Sequence, residues 1–153
     1  MKITNILRVE SILPELKSRD KAGVIRELAQ AVTCSEPSIA ADPLFEILTE
    51  REKLGSTGIG SGVAIPHGKL PNLDRIVAAF GRSRPGIDFD SQDGEPAHLF
   101  FVLVAPENTA GLHLKALAKL SRLLKDPHFR EKLMAAPDAT SIYKAIEVED
   151  DKI

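Results

Sequence analysis

The run Leu-Phe-Phe-Val-Leu-Val-Ala at residues 99–105, closed by Pro106, constrains the fold of this chain more than any other stretch. A strand that is apolar on both alternating faces must be covered on both, so it belongs at the centre of a sheet with helices on each side. The flanking sequence supplies those helices. Asp20 caps a helix from 21 to about 32, whose Val24, Ile25, Leu28, Ala29 and Val32 form one stripe. Asp42-Pro43 opens another, with Asp as the cap, Leu44, Ile47, Leu48 and Leu54 as the apolar face, and Gly55 as the stop. After the central strand, residues 111–124 read as a helix with Leu114, Leu117, Ser121 and Leu124 on one face, and 127–134 and 139–148 as two more. Residues 147–151 read as a frayed acidic tail. Residues 76–81 are a second buried strand, followed by a turn at Pro85-Gly86 and a short extended piece at 87–89. Residues 3–14 show no clear period and read as an extended or turn-rich leading segment. Helices, then strands, then helices make an α/β sandwich with a mixed central sheet flanked by helices. With no internal repeat and no long linker, residues 1–153 are expected to form a single domain.

Charge and composition exclude several classes. A net charge of −2, with Lys and Arg dispersed, provides no basic field for nucleic acid. The single cysteine, Cys34, has no internal disulfide partner and reads as a small buried residue at a helix end, which fits a reducing cytoplasm. Arg8, Glu10, Pro14 and Glu15 interrupt the apolar positions of the first residues, so neither a signal-peptide core nor a membrane span is expected there.

Special backbone chemistry is concentrated at residues 55–69, Gly-Ser-Thr-Gly-Ile-Gly-Ser-Gly-Val-Ala-Ile-Pro-His-Gly-Lys. Its glycines permit several N–H groups to turn toward one point, which is how an anion pocket is made. Val63-Ala64-Ile65 is then a short strand with His67 at its tip. The loop lacks the Gly-Lys-Ser/Thr ending of a P-loop, and its glycines do not open a helix after a strand, so a purine-nucleotide site is not expected.

Arg51, Ser56 and Thr57 lie on the loop side of His67 and offer one charged and two hydroxyl donors, as an acquired phosphoryl group requires. A histidine phosphorylated on one ring nitrogen needs the other held as N–H by an acceptor, a role open to a backbone carbonyl of this loop. His113, in the first turn of a helix, faces the positive dipole end and is expected to be neutral. The plainer alternatives are an exposed turn for His67 and a half-buried cap position for His113. His98 and His128 read as surface residues. No carboxylate or cysteine falls at ligand spacing from His67 or His113, and no metal is expected. Ser56 and Ser61 lack a nucleophile-elbow pattern.

Residues 49–69, Thr-Glu-Arg-Glu-Lys-Leu-Gly-Ser-Thr-Gly-Ile-Gly-Ser-Gly-Val-Ala-Ile-Pro-His-Gly-Lys, closely resemble the active-site block of the phosphotransferase-system enzyme IIA proteins of the fructose/mannitol class, and within it the nitrogen-regulatory type. The likeness extends over essentially the whole chain. It implies a cytoplasmic α/β sandwich that accepts a phosphoryl group on Nε2 of His67 from an HPr-type phosphocarrier protein, without cofactor or metal. It places Arg51 and His113 at the phosphoryl-stabilising positions and Thr57 as a loop hydroxyl near the site. Two functions are open: a regulator whose phosphorylation state sets its affinity for protein partners, or a transport component that passes the group to a IIB cysteine during fructose or mannitol uptake. Ile-Pro-His-Gly-Lys at 65–69 and the isolated single domain favour the first, since transport versions in the family are often fused to IIB or IIC domains.

Overall fold

The apolar run lies within β6 (Ala97–Pro106), the central strand of a six-stranded mixed sheet in the computed structural model, which describes residues 2–152. Leu99, Phe101, Leu103 and Ala105 point into one core and Phe100, Val102 and Val104 into another, so a single strand supplies both. One core is closed by α1 (Lys21–Ser35) and α2 (Ala41–Lys53). The other is closed by α3 (Ala110–Leu124), α4 (Pro127–Ala135) and α5 (Ala139–Asp150). The result is the expected three-layer α/β sandwich.

The strand order is β1 (Leu7–Leu13), β5 (Val77–Ile87), β6, β3 (Val63–Ala64) and β2 (Gly58–Gly60), with β4 (His67–Leu70) also paired to β6. β5 runs antiparallel to β6, whereas β1 is parallel to β5 and both β3 and β4 are parallel to β6. β3 and β4 therefore form one interrupted strand along β6, broken at Ile65-Pro66, where proline has no N–H to give a ladder. His67 starts the second half of that strand, in register with Leu103. It is not the tip of the first half.

Several other expectations are corrected. The leading segment contains a true strand, β1, after a 3-10 turn at Ile3–Asn5. Its register shifts between Leu7 and Ile12, and adjacent Ser11 and Ile12 are both buried, which erases the alternation that marks a strand. Ser11 satisfies its hydroxyl on the Ala31 carbonyl. α2 starts at Ala41 and has Ala40 at its cap; Asp42 sits in the first turn and pairs with Arg26 instead. The Pro85-Gly86 turn signal falls inside β5, as a register break between Arg82 and Ile87. Asp20 does cap α1, accepting from the Gly23 N–H at 2.7 Å.

The inward face of α3 is rotated from the expected leucine stripe, keeping Leu124 in the core and Leu117 packed against it but turning Leu114 out. Leu114 is 66% exposed, while His113, Ala116, Lys119, Leu120 and Leu123 are buried. The polar members are tolerated because Lys119 pairs with Asp150 and His113 borders a hollow. The acidic tail is part of α5 as far as Asp150, whose buried carboxylate accepts the N–H groups of Ile3 and Thr4 at 3.1 and 3.0 Å. Cys34 is exposed, not buried. His128 is exposed, and His98 is half-buried with Nδ1 on the Ser83 carbonyl at 3.0 Å. Buried Arg82 also lay outside the sequence reading. Its guanidinium donates to the carbonyls of Pro14, Leu133 and Ala136, tying β5 to the negative end of α4.

Candidate functional site

The glycine-rich stretch folds as a hairpin. β2 pairs antiparallel with β3, and the turn uses positive φ at Gly60, Ser61 and Gly62. Two of its outward N–H groups do meet anions, but the anions are the protein's own carboxylates. Thr57 N–H donates to Glu52 and Ser61 N–H to Asp93. The expected anion pocket is thus filled from within, and the hairpin serves as a brace for the next segment.

That segment carries His67. Its Nδ1 lies 2.9 Å from the carbonyl oxygen of Ile65. A carbonyl only accepts, so Nδ1 bears the hydrogen and Nε2 keeps its lone pair. The backbone beneath is fixed on both sides, since Ile65 N–H donates to the Thr57 carbonyl at 3.0 Å and Leu103 N–H to the Pro66 carbonyl at 3.0 Å. A hollow of about 590 Å³ opens over this ring. Arg51, Lys69 and His113 give it polar groups, and Leu54, Leu114 and Leu117 an apolar side.

The geometry brings together three of the five residues singled out from sequence. His67 and His113 face each other edge to face, with ring centroids 5.3 Å apart. Arg51, in the last turn of α2, donates to the Gly55 carbonyl at 2.7 Å and lines the same hollow. α2 can lie this close to β4 because residue 68 is glycine: a Cβ there would stand 2.7 Å from Cγ2 of Ile47. Ser56 and Thr57 are not among the lining residues, and their hydroxyls are committed elsewhere. Ser56 Oγ donates to the Phe89 carbonyl at 2.7 Å and Thr57 Oγ1 to the Glu52 carboxylate.

Both imidazoles are held neutral. His113 is 5% exposed and its pKa is pushed down to about 4, first by burial, then by the repulsion it would meet from a protonated His67 and from Lys69. Its Nδ1 has no hydrogen-bond partner among the described residues. Burial also lowers the pKa of His67, and Arg51 adds to this, against the Ile65 carbonyl and Glu52, which favour the cation. An unprotonated Nε2 beside two cationic side chains and a second neutral imidazole can attack an electrophilic phosphorus and stabilise the oxygens around it.

Two residues were missed from sequence. Lys69 shares the His67 face of β4 by the two-residue period. Glu52 continues the buried row Leu44–Leu48 at the next i+4 position, and a carboxylate in a core-facing row was the available signal. No helix among the described residues is long and apolar enough to cross a membrane.

A histidine on β4, paired to the central strand of a mixed α/β sheet, with Nδ1 on a backbone carbonyl and a second histidine and an arginine at the same hollow, defines the class. The phosphoenolpyruvate-dependent sugar phosphotransferase system EIIA 2 family model matches residues 5–148, and the chain belongs to that family. A nitrogen regulatory protein of Bradyrhizobium diazoefficiens is 47% identical over 147 residues, 95% of each chain. The fructose-specific EIIABC component of Bacillus subtilis is 37% identical over 98% of this chain, which corresponds to 24% of that longer protein. Nitrogen regulatory protein IIA-Ntr from Neisseria meningitidis has the same fold, with a TM-score of 0.88 at 37% identity, covering 94% of this chain and 98% of that one.

Proposed function

We propose that this chain accepts a phosphoryl group on Nε2 of His67 from an HPr-type phosphocarrier protein in the cytoplasm, and that it acts as a nitrogen-regulatory IIA protein. The observation that carries the reading is the Nδ1 bond to the Ile65 carbonyl, made beside His113 and Arg51 at one hollow. In the step, the Nε2 lone pair forms the new N–P bond while the donor's N–P bond breaks and its electron pair returns to the donor ring nitrogen. His67 keeps its Nδ1 proton against the carbonyl, so the phosphorylated ring is cationic and remains a good leaving group. Arg51 and His113 donate to the phosphoryl oxygens. Ser56 and Thr57 support the loop and do not touch the moving group.

A protein donor suits the rim. Leu54 is 85% exposed and Leu114 66%, on the apolar side of an open hollow. The regulatory reading is supported by end-to-end matches to proteins named nitrogen regulatory protein. Transfer onward to a IIB cysteine in sugar uptake is the second reading, favoured by the EIIABC relative.

The test is incubation with phosphorylated HPr-type carrier, with and without a IIB domain, followed by intact mass and acid lability. One acid-labile phosphoryl group, absent from His67→Ala and retained when IIB is added, is the expected result. Rapid loss to IIB moves the reading to transport, and labelling of His67→Ala refutes the site.

A further inference from the structure

Glu52 has no part in the step above, yet its placement is unfavourable twice over. Its side chain is 5% exposed, and it sits in the last turn of α2, at the negative end of the helix dipole. Four contacts offset this. Lys21 Nζ lies 2.9 Å from one oxygen, Thr57 N–H donates to both at 3.0 and 3.2 Å, and the Thr57 hydroxyl donates to one. Lys21 is held in turn by Asp90 at 3.2 Å and lies 4.8 Å over the Phe89 ring.

The contacts continue toward the hollow. The Thr57 carbonyl accepts from Ile65 N–H at 3.0 Å, and the Ile65 carbonyl accepts from Nδ1 of His67 at 2.9 Å. Three successive hydrogen bonds thus separate the buried carboxylate from the reactive ring, and they pass through Thr57 and Ile65 alone. Nothing else in the described structure fixes Thr57 to α2 so directly. Without that tie the segment keeps the β2–β3 pairing and the Leu103–Pro66 bond, but its Thr57 end is freed from α2. A drift of the Ile65 carbonyl would then let the neutral ring place its hydrogen on Nε2, where no attack is possible.

We propose that Glu52, with Lys21 as its counter-ion, is a positioning residue for phosphoryl transfer: through Thr57 and Ile65 it aims the carbonyl that keeps His67 in the Nδ1–H tautomer. This rests on His67 being the acceptor. It gives Thr57 the role of a link, and it explains why a charge is kept in a core-facing row.

The test uses the full chain and Glu52→Gln, which keeps size and one acceptor but loses the charge and sets an amide N–H₂ against Lys21. Nitrogen-detected NMR reads the His67 tautomer, and uptake from phosphorylated HPr-type carrier reads the rate. The expected result is a folded variant with the Nε2–H tautomer populated and uptake slowed about 10-fold, the range for an outer-shell support. A folded Glu52→Gln with the wild-type tautomer and rate overturns the proposal. If Glu52→Gln does not fold, Lys21→Met replaces it. With its counter-ion gone the carboxylate holds Thr57 less firmly, so the Nε2–H tautomer should appear and uptake should fall together, as in Glu52→Gln. A folded Lys21→Met with the wild-type tautomer and rate overturns the proposal. Wild-type protein that takes no phosphoryl group refutes the acceptor reading itself, a distinct result.

Discussion

Mild acid should destabilise this protein through His113. The ring is buried and neutral, with a pKa of about 4 in the folded chain against an ordinary value of 6.5. Between those values the unfolded chain binds a proton that the folded chain refuses. Stability from this residue is therefore complete above about pH 6.5 and drains away as the pH falls toward about 4. The full gap corresponds to about 3 kcal/mol, of which about 2 is lost by about pH 5. Because the ring borders an open hollow, water relaxes around the new charge, and a loss of about 1 kcal/mol is expected. Urea unfolding of wild type and His113→Gln, at steps from about pH 7.5 to about pH 5, isolates this contribution, since carboxylates and His67 titrate in both. Wild type should lose about 1 kcal/mol more than the variant across the range. Parallel curves, or a steeper loss in the variant, would refute a buried neutral His113.

Gly68→Ala should cost about 1–3 kcal/mol by overpacking against Ile47, and should slow phosphoryl uptake because α2 and Arg51 move off β4; an unchanged melt with unchanged uptake contradicts the close approach. Arg51→Ala should leave the melt near wild type and slow uptake roughly 10²-fold, and an equal rate removes Arg51 from the site. Arg82→Met leaves buried carbonyls of α4 without their donor and should cost about 3 kcal/mol, seen as a melting point lower by about 6–12 °C; a shift under about 2 °C contradicts it. Leu114→Glu, at an exposed position, should raise the KM for the phosphorylated carrier about tenfold with kcat and melting unchanged, and an unaltered KM excludes this rim from docking.

What could be read from sequence was whatever shows locally. The 99–105 run needs cover on both faces whatever surrounds it, and Asp20 caps α1 through its own third neighbour. The 55–69 stretch declared its importance through its composition. Other features depend on distant partners. Adjacent burial of Ser11 and Ile12 hides β1 because Ser11 finds the Ala31 carbonyl on α1. The inward face of α3 is obscured because Lys119 is neutralised by Asp150, two helices later on α5. Ser56 and Thr57 looked free to serve a phosphoryl group, since nothing in their neighbourhood reveals the Phe89 carbonyl or the inward turn of Glu52. Of the two anions that the glycine loop meets, Glu52 stands just before it and Asp93 well beyond it in the chain.

β4 is locked to β6 from His67 through Leu70, opposite Leu103 through Pro106, and β6 cannot slide without breaking two cores. On the proposed reading, phosphorylation alters a rigid plate by adding anionic charge at its centre while leaving its outline intact. Any protein seated on the surrounding leucines must then strip water from that charge or bring a cation to meet it. One fixed surface can sort its visitors by electrical sign alone, welcoming one set before phosphorylation and another after, with no moving part in the fold.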